Sequence, residues 1–159
     1  MDGKVIYHMD ANYILSFLIN DDQMQHEIVK LKFIRNNWSD DLYRLNVFAL
    51  GEVFKRILNL EEKRNSNGLE KNLSTVKNLI KKGSLNIVNI DDFDTNDLTT
   101  HINEIKKLDT QIENGDVLNL AIFCSDHHAK YFYTLDTKII RSNRLSVYLN
   151  SFNKKIRDT

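Results

Sequence analysis

The chain has 159 residues, 22 basic and 22 acidic, with 42% apolar residues, 28% charged residues and a mean hydropathy of -0.43. That balance excludes a disordered tail, a collagen-like fibre and a membrane protein, and the length fits a single domain over residues 1–159. Zero net charge also excludes a histone-like binder that is basic all over, so a polyanionic partner must be drawn by a local patch or by bound metal. The single cysteine, Cys124, cannot form an internal disulfide and sits in the apolar run Leu120 to Cys124, as a buried small hydrophobe in a reducing compartment would. The first residues show no apolar stretch long enough for a signal peptide, and no segment reaches the ~20 apolar residues of a membrane span. A cytoplasmic protein is expected.

Proline is absent and there are only five glycines, so 19 asparagines and the Asp and Ser clusters must mark the element ends. Val5 to Met9 is a short apolar run stopped by Asp10, which predicts a first strand. Tyr13, Ile14, Phe17 and Leu18 then lie on one helical face, and Ile28, Leu31 and Ile34 on that of a second helix. Leu42 to Val47 predicts a brief strand. Leu50, Val53, Phe54, Ile57 and Leu58 form a clean helical stripe, and after a turn at Asn65 to Gly68 the period continues through Leu69, Leu73, Val76 and Ile80 to Lys81, Lys82 and Gly83, a basic last turn with a terminating glycine. Leu85 to Ile90 alternates as a strand does. Asp92 to Asp97 caps a helix with Leu98, Ile102 and Ile105, and Gly115-Asp116 opens a nearly all-apolar, hence buried, helix over Val117 to Cys124. Lys130 to Leu135 predicts a strand ending at Asp136. Arg144 to Phe152 fits either an edge strand or a helix, because Leu145, Val147 and Leu149 alternate while Tyr148 and Phe152 have helical spacing. Strands alternating with helices predict an α/β protein, a central parallel sheet of four or five short strands flanked by helices.

Asp10 and Asp136 each follow a strand directly. In an open parallel sheet, ligands bind beyond the carboxyl ends of the strands, so acids ending two neighbouring strands would converge there. Glu52 and Asp116 ride on helices beside apolar residues, near the core rather than on a solvated face. Singly, each acid is explained as a helix cap or a solvated side chain. Together they would raise one another's pKa, and a divalent cation relieves that repulsion. Hard oxygen ligands suit Mg²⁺ or Mn²⁺, and one or two such ions can activate water against a phosphodiester.

Asp10-Ala11-Asn12-Tyr13-Ile14-Leu15, Glu52 within Leu50 to Phe54, Asp116 with Ala121 five residues on, and Thr134-Leu135-Asp136 resemble the PIN-domain nucleases, which include the toxins of bacterial and archaeal toxin-antitoxin pairs. The resemblance spans nearly the whole chain. It implies a three-layer α/β/α fold and a Mg²⁺- or Mn²⁺-dependent endoribonuclease with Asp10, Glu52, Asp116 and Asp136 as ligands. Asn12 and Thr134 would orient these carboxylates or a bound water. It also implies a homodimer and an antitoxin partner, for which the helices around Ile28 to Ile34 and Val53 to Leu60 are candidate docking faces. The chain departs from the family in the bulkier run Leu118-Asn119-Leu120-Ala121-Ile122 after the third acid and in His8 on the first strand. A non-catalytic RNA-binding or assembly module, and an RNA-processing or DNA-cleaving nuclease with the same centre, are the alternatives.

Asp92, Asp94 and Asn96 mimic a calcium loop, but Asp97 replaces its glycine and Asn103 its last glutamate. Asn12 stands where a haloacid-type phosphatase needs a second Asp. His127 and His128 lack the further ligands of a zinc site, and they and Asp126 read as an exposed loop. Lys138, Arg141 and Arg144 follow Asp136 closely and are the candidate phosphate contacts.

Overall fold

The computed structural model describes residues 3–19, 42–64 and 68–158. The strand-forming runs become β1 (Ile6–Met9), β2 (Leu42–Asn46), β3 (Asn86–Val88), β4 (Ala129–Tyr133) and β5 (Lys155–Arg157). They form one all-parallel sheet in the order β3-β2-β1-β4-β5. Between them run α1 (Ala11–Leu18), α2 (Val47–Arg64), α3 (Gly68–Lys81), α4 (Thr95–Leu108), α5 (Asn114–Ser125), α6 (Thr137–Ile140) and α7 (Asn143–Asn150), with a 3₁₀ turn at Ile90–Asp92. The helix expected around Ile28 to Ile34 lies outside the described residues.

Side chains alternate across the sheet, so each face gathers its own core. On one face Met9, Tyr43, Leu45 and Tyr133 pack against Tyr13 and Ile14 of α1 and Val53 and Ile57 of α2. On the other, Phe132 packs against Leu98 and Ile105 of α4, Leu120 and Phe123 of α5, and Leu145 and Leu149 of α7. Tyr7 is in register with Tyr43 and Tyr131, and its ring stacks on Tyr43, Tyr131 and Tyr133 at 5.3, 5.4 and 5.2 Å between centroids. This row of rings ties β2, β1 and β4 together, each pair contributing about 0.5–1.5 kcal/mol beyond its buried area.

Helix ends follow local chemistry. Gly83, at φ +73°, closes α3: the Ser84 N–H reaches the Leu79 carbonyl and the Gly83 N–H the Ile80 carbonyl, both at 3.0 Å, a termination that needs a left-handed residue. The ambiguous segment after Arg144 is helical. Ser142 caps it by accepting from the Leu145 N–H, Leu145 and Leu149 are buried one turn apart, and Val147, which suggested alternation, is 72% exposed. The edge strand is instead β5, three residues long and beyond that segment. In the stripe on α2, Val53 and Ile57 are core while Leu58 is 47% exposed, so most of that face is spent on internal packing.

Asp126 corrects the sequence reading. It is buried, whereas His127 and His128 next to it are exposed. As the C-cap of α5 it points back under the sheet, where its Oδ2 meets His8 Nε2 at 2.8 Å and also accepts from Arg44 Nη1, and its Oδ1 accepts from the His128 N–H at 3.2 Å. Burial alone raises the Asp126 carboxyl, but hydrogen bonds and charge from His8 and Arg44 outweigh it and hold the group well below the usual carboxylate range. Buried Lys154 completes the cluster, its Nζ donating to the carbonyls of Asp126 (2.6 Å) and Ala129 (2.7 Å) and lying 4.7 Å from the centre of the Phe123 ring. Asp126→Ala leaves three cationic or polar partners without their shared anion. It is expected to cost about 3–5 kcal/mol, the usual penalty for stripping one partner from a buried charge cluster, measured by urea unfolding.

Candidate active site at the carboxyl ends of the strands

β1 has β2 on one side and β4 on the other, so the order of the strands reverses beside it, the place where an open parallel sheet commonly takes a ligand. Asp10 follows β1 and Asp136 follows β4. The Asp10 N–H bonds the Tyr133 carbonyl at 2.8 Å, which fixes the two strand ends to each other. Asp10 is buried. Its Oδ1 caps α1 by accepting from the Ala11 N–H at 2.8 Å, and its Oδ2 accepts from Thr134 Oγ1 at 2.9 Å. Thr134 in turn accepts from Asn12 Nδ2 at 3.3 Å and from the Asp136 N–H at 3.1 Å, while Asn12 Oδ1 accepts from the Leu135 N–H at 3.1 Å. The Thr134 N–H is itself held by the Arg157 carbonyl of β5 at 3.1 Å. Asn12 and Thr134 thus stand between Asp10 and Asp136, and the Asp136 Oδ1 caps α6 through the Lys138 N–H at 2.8 Å.

The helical acids face the same space. Asp116 is in the first turn of α5 and Glu52 in the second turn of α2, where it pairs with Arg56 at 2.9 Å and is half-exposed. Burial raises the Asp116 carboxyl to about 7, with further increments from Asp10, Asp136, Glu52 and Glu113. Burial likewise raises Asp10; the Thr134 and Ala11 hydrogen bonds oppose it, and the charges of Glu52 and Asp136 add to it. Each of the four acids therefore belongs to one electrostatic group. Among the described residues, no three or more His, Cys, Asp or Glu side chains stand together as a group that could hold a metal ion as they are placed. The donors are nonetheless all hard oxygens with an excess of negative charge, the chemistry that suits Mg²⁺ or Mn²⁺.

Two residues of the site escaped the sequence reading. Asn46 ends β2 and Asn119 lies in the middle of α5; both are buried and bonded to each other at 2.9 Å, and Asn119 reaches Asp10 Oδ1 at 3.4 Å. Their signal was polarity inside an apolar setting, most visibly Asn119 within Val117 to Cys124. Of the candidate phosphate contacts, Lys138 is exposed on α6, and Arg141 and Arg144 line a cleft of about 340 Å³ with Lys107. The one acid there, Asp109, is occupied by the Gln111 N–H and Ser142 Oγ, both at 3.0 Å, so the cleft is net positive. A further cleft, of about 510 Å³, opens toward the amino ends of β2 and β3 beside Arg44 and Asp126, away from the four acids.

No protein-family model matches the chain, and no curated protein does. Solved structures do. VapBC2 from Rickettsia felis, bound to a DNA fragment from their promoter, superposes with a TM-score of 0.58 at 17% identity, over 89% of this chain and 96% of that one. VapC20 of Mycobacterium tuberculosis, a toxin that cleaves the sarcin-ricin loop, gives a TM-score of 0.58 at 10% identity over 82% and 90%. The fold is PIN-like. In this PIN-like sheet Asp10 and Asp136 follow β1 and β4, the two strands on either side of the switch of strand order, and no helix among the described residues is long and apolar enough to cross a membrane.

The raised Asp116 carboxyl sets a pH dependence. The unfolded chain releases this proton near the ordinary value of 3.8, whereas the folded chain keeps it to about 7. Between those values the folded state binds more protons, so this group's contribution to stability is complete below the unfolded value and is lost as pH rises toward 7. The thermal midpoint of metal-free protein is expected to fall over that window, and Asp116→Asn to flatten the fall, as read by calorimetry in chelator.

Proposed function

We propose that the chain is a Mg²⁺- or Mn²⁺-dependent endoribonuclease of the toxin type, acting in the cytoplasm as a homodimer and restrained by an antitoxin. The observation that carries this is the placement of Asp10, Glu52, Asp116 and Asp136 by separate elements toward the carboxyl ends of β1 and β4, where burial raises the Asp10 and Asp116 carboxyls and the charges of Glu52 and Asp136 add to it. A cluster of that kind needs a countercharge, and these oxygens would be the ligands of one or two ions. The similarity to VapC20, a sarcin-ricin loop cleaving toxin, supports the reaction class, and the similarity to VapBC2 supports an antitoxin partner.

When bound, the cation supplies a Lewis acid that stabilises charge developing on the phosphate and lowers the pKa of water. The rest falls to the chain's own residues. Thr134 and the Ala11 N–H hold Asp10 with its oxygens fixed in direction. Asn12, bonded to both Thr134 and the Leu135 N–H, keeps the loop that carries Asp136 close to β1. RNA reaches an acidic crevice only if its backbone is attracted alongside, and the cleft of Lys107, Arg141 and Arg144 offers that attraction. It lies between the loop that enters α5, which carries Asp116, and the link from α6, which Asp136 caps. Hydrolysis breaks the P–O3′ bond by attack of water on phosphorus and leaves a 5′-phosphate and a 3′-hydroxyl.

Purified protein is expected to cut single-stranded RNA with Mn²⁺ and to stop in EDTA. Asp10→Asn and Asp136→Asn are each expected to reduce the cleavage rate about 100-fold or more, with circular dichroism reporting intact folds. Cleavage that survives both the chelator and the substitutions overturns the proposal. In the Asp10→Asn background, where RNA stays whole, Arg141→Ala and Arg144→Ala are each expected to lower the slope of log affinity against log salt by roughly 0.7, the value for one phosphate contact on a single strand.

A further inference from the structure

Asn46 and Asn119 form a directed relay that ends on Asp10. Asn46 directly precedes α2, and its Oδ1 accepts from the Ala49 N–H at 2.9 Å, the bond of an N-cap. Its Nδ2 donates to Asn119 Oδ1 at 2.9 Å, and Asn119 Nδ2 donates to Asp10 Oδ1 at 3.4 Å. Both amide orientations are fixed from the outside. The Ala49 N–H can only donate, so Asn46 must turn its oxygen there and its nitrogen to Asn119; an ionised Asp10 can only accept, so Asn119 must turn its nitrogen to it. All three side chains are buried, so water cannot replace a lost partner.

We infer that Asn119, held in place by Asn46, is a positioning residue for Asp10, and that the pair sets the spacing of the acid-bearing elements. The inference rests on the nuclease reading. Asn119 lies one turn beyond Asp116 on the same face of α5, and Asn46 opens the helix that carries Glu52. One amide-to-amide contact therefore links the elements bearing Asp10, Glu52 and Asp116, and the Thr134 hydroxyl links the same Asp10 to the loop bearing Asp136. Asn119 acts on one Asp10 oxygen and Thr134 on the other, so the carboxylate plane is held from two sides. An asparagine needed only to fill space among Val117, Leu120 and Ala121 would be replaceable by leucine, which has the same branching and number of side-chain heavy atoms, is somewhat larger, and suits α5 better.

Mn²⁺ binding, measured by titration calorimetry on the folded full chain without RNA, separates the two roles. Asn119→Leu is expected to weaken Mn²⁺ about 10–100-fold, the usual effect of removing a group that orients a metal ligand. Asn46→Ser keeps a cap on α2 but releases Asn119, and is expected to weaken Mn²⁺ in the same direction by a smaller factor. Combined with Asn119→Leu it should add little, because both changes cut one relay. Mn²⁺ binding by Asn119→Leu as tight as that of the unsubstituted chain overturns the inference; if that variant does not fold, an unchanged affinity in Asn46→Ser overturns it. Absence of Mn²⁺ binding by the unsubstituted chain is a distinct result that overturns the nuclease reading and this role with it.

Discussion

The structure depends on keeping one carboxylate, Asp10, almost out of water at the place where two strands part. Its burial is tolerable only because donors converge on it from several directions: the Ala11 N–H of its own helix, the Thr134 hydroxyl beyond β4 and the Asn119 amide of α5. Each donor arrives on a different element. The requirement to satisfy one buried charge thereby fixes the mutual placement of α1, α5 and the loop after β4, and with them the positions of Asp116 and Asp136. Fold and site are the same construction here.

A comparison within the molecule sharpens what distinguishes that carboxylate. Asp126 is equally buried, yet it is saturated by His8 and Arg44 and its acidity is strengthened. Asp10 lies among like charges, and burial and repulsion push it the other way. The first arrangement has its countercharge built in, and what it offers is rigidity near the start of β4. The second is deficient in positive charge by design of its surroundings, and such a deficit is what draws a proton or a cation from solution.

Most of the sheet was legible because its strands are short apolar runs cut off by polar residues, and period and punctuation are local properties. Asp10 was legible for the same reason, since it directly follows β1, whereas Asp136 stands past the last residue of β4, Tyr133, with Thr134 and Leu135 between, and caps the next helix. What stayed hidden depends on partners far along the chain. Asp126 beside two exposed histidines looks like loop, and only the fold supplies His8 and Arg44, 118 and 82 positions away. Asn46 and Asn119 are 73 positions apart, and nothing local to either announces the other. β5 was missed because three residues, Lys155, Ile156 and Arg157, are too few to show alternation, and the α7 segment before them mimicked it through Val147, which faces water.

The Thr134 N–H is bound by the carbonyl of Arg157, and the amine of Lys154 closes on carbonyls at the start of β4. The hydroxyl that steers Asp10 is therefore braced by backbone that a ribosome makes more than twenty residues later. A nascent chain that has emerged only as far as α7 carries all four acids but lacks this brace. Maturation of the crevice is thus a late event in synthesis, and messages cut short within the codons for β5 would yield protein whose acids are present but loosely aimed.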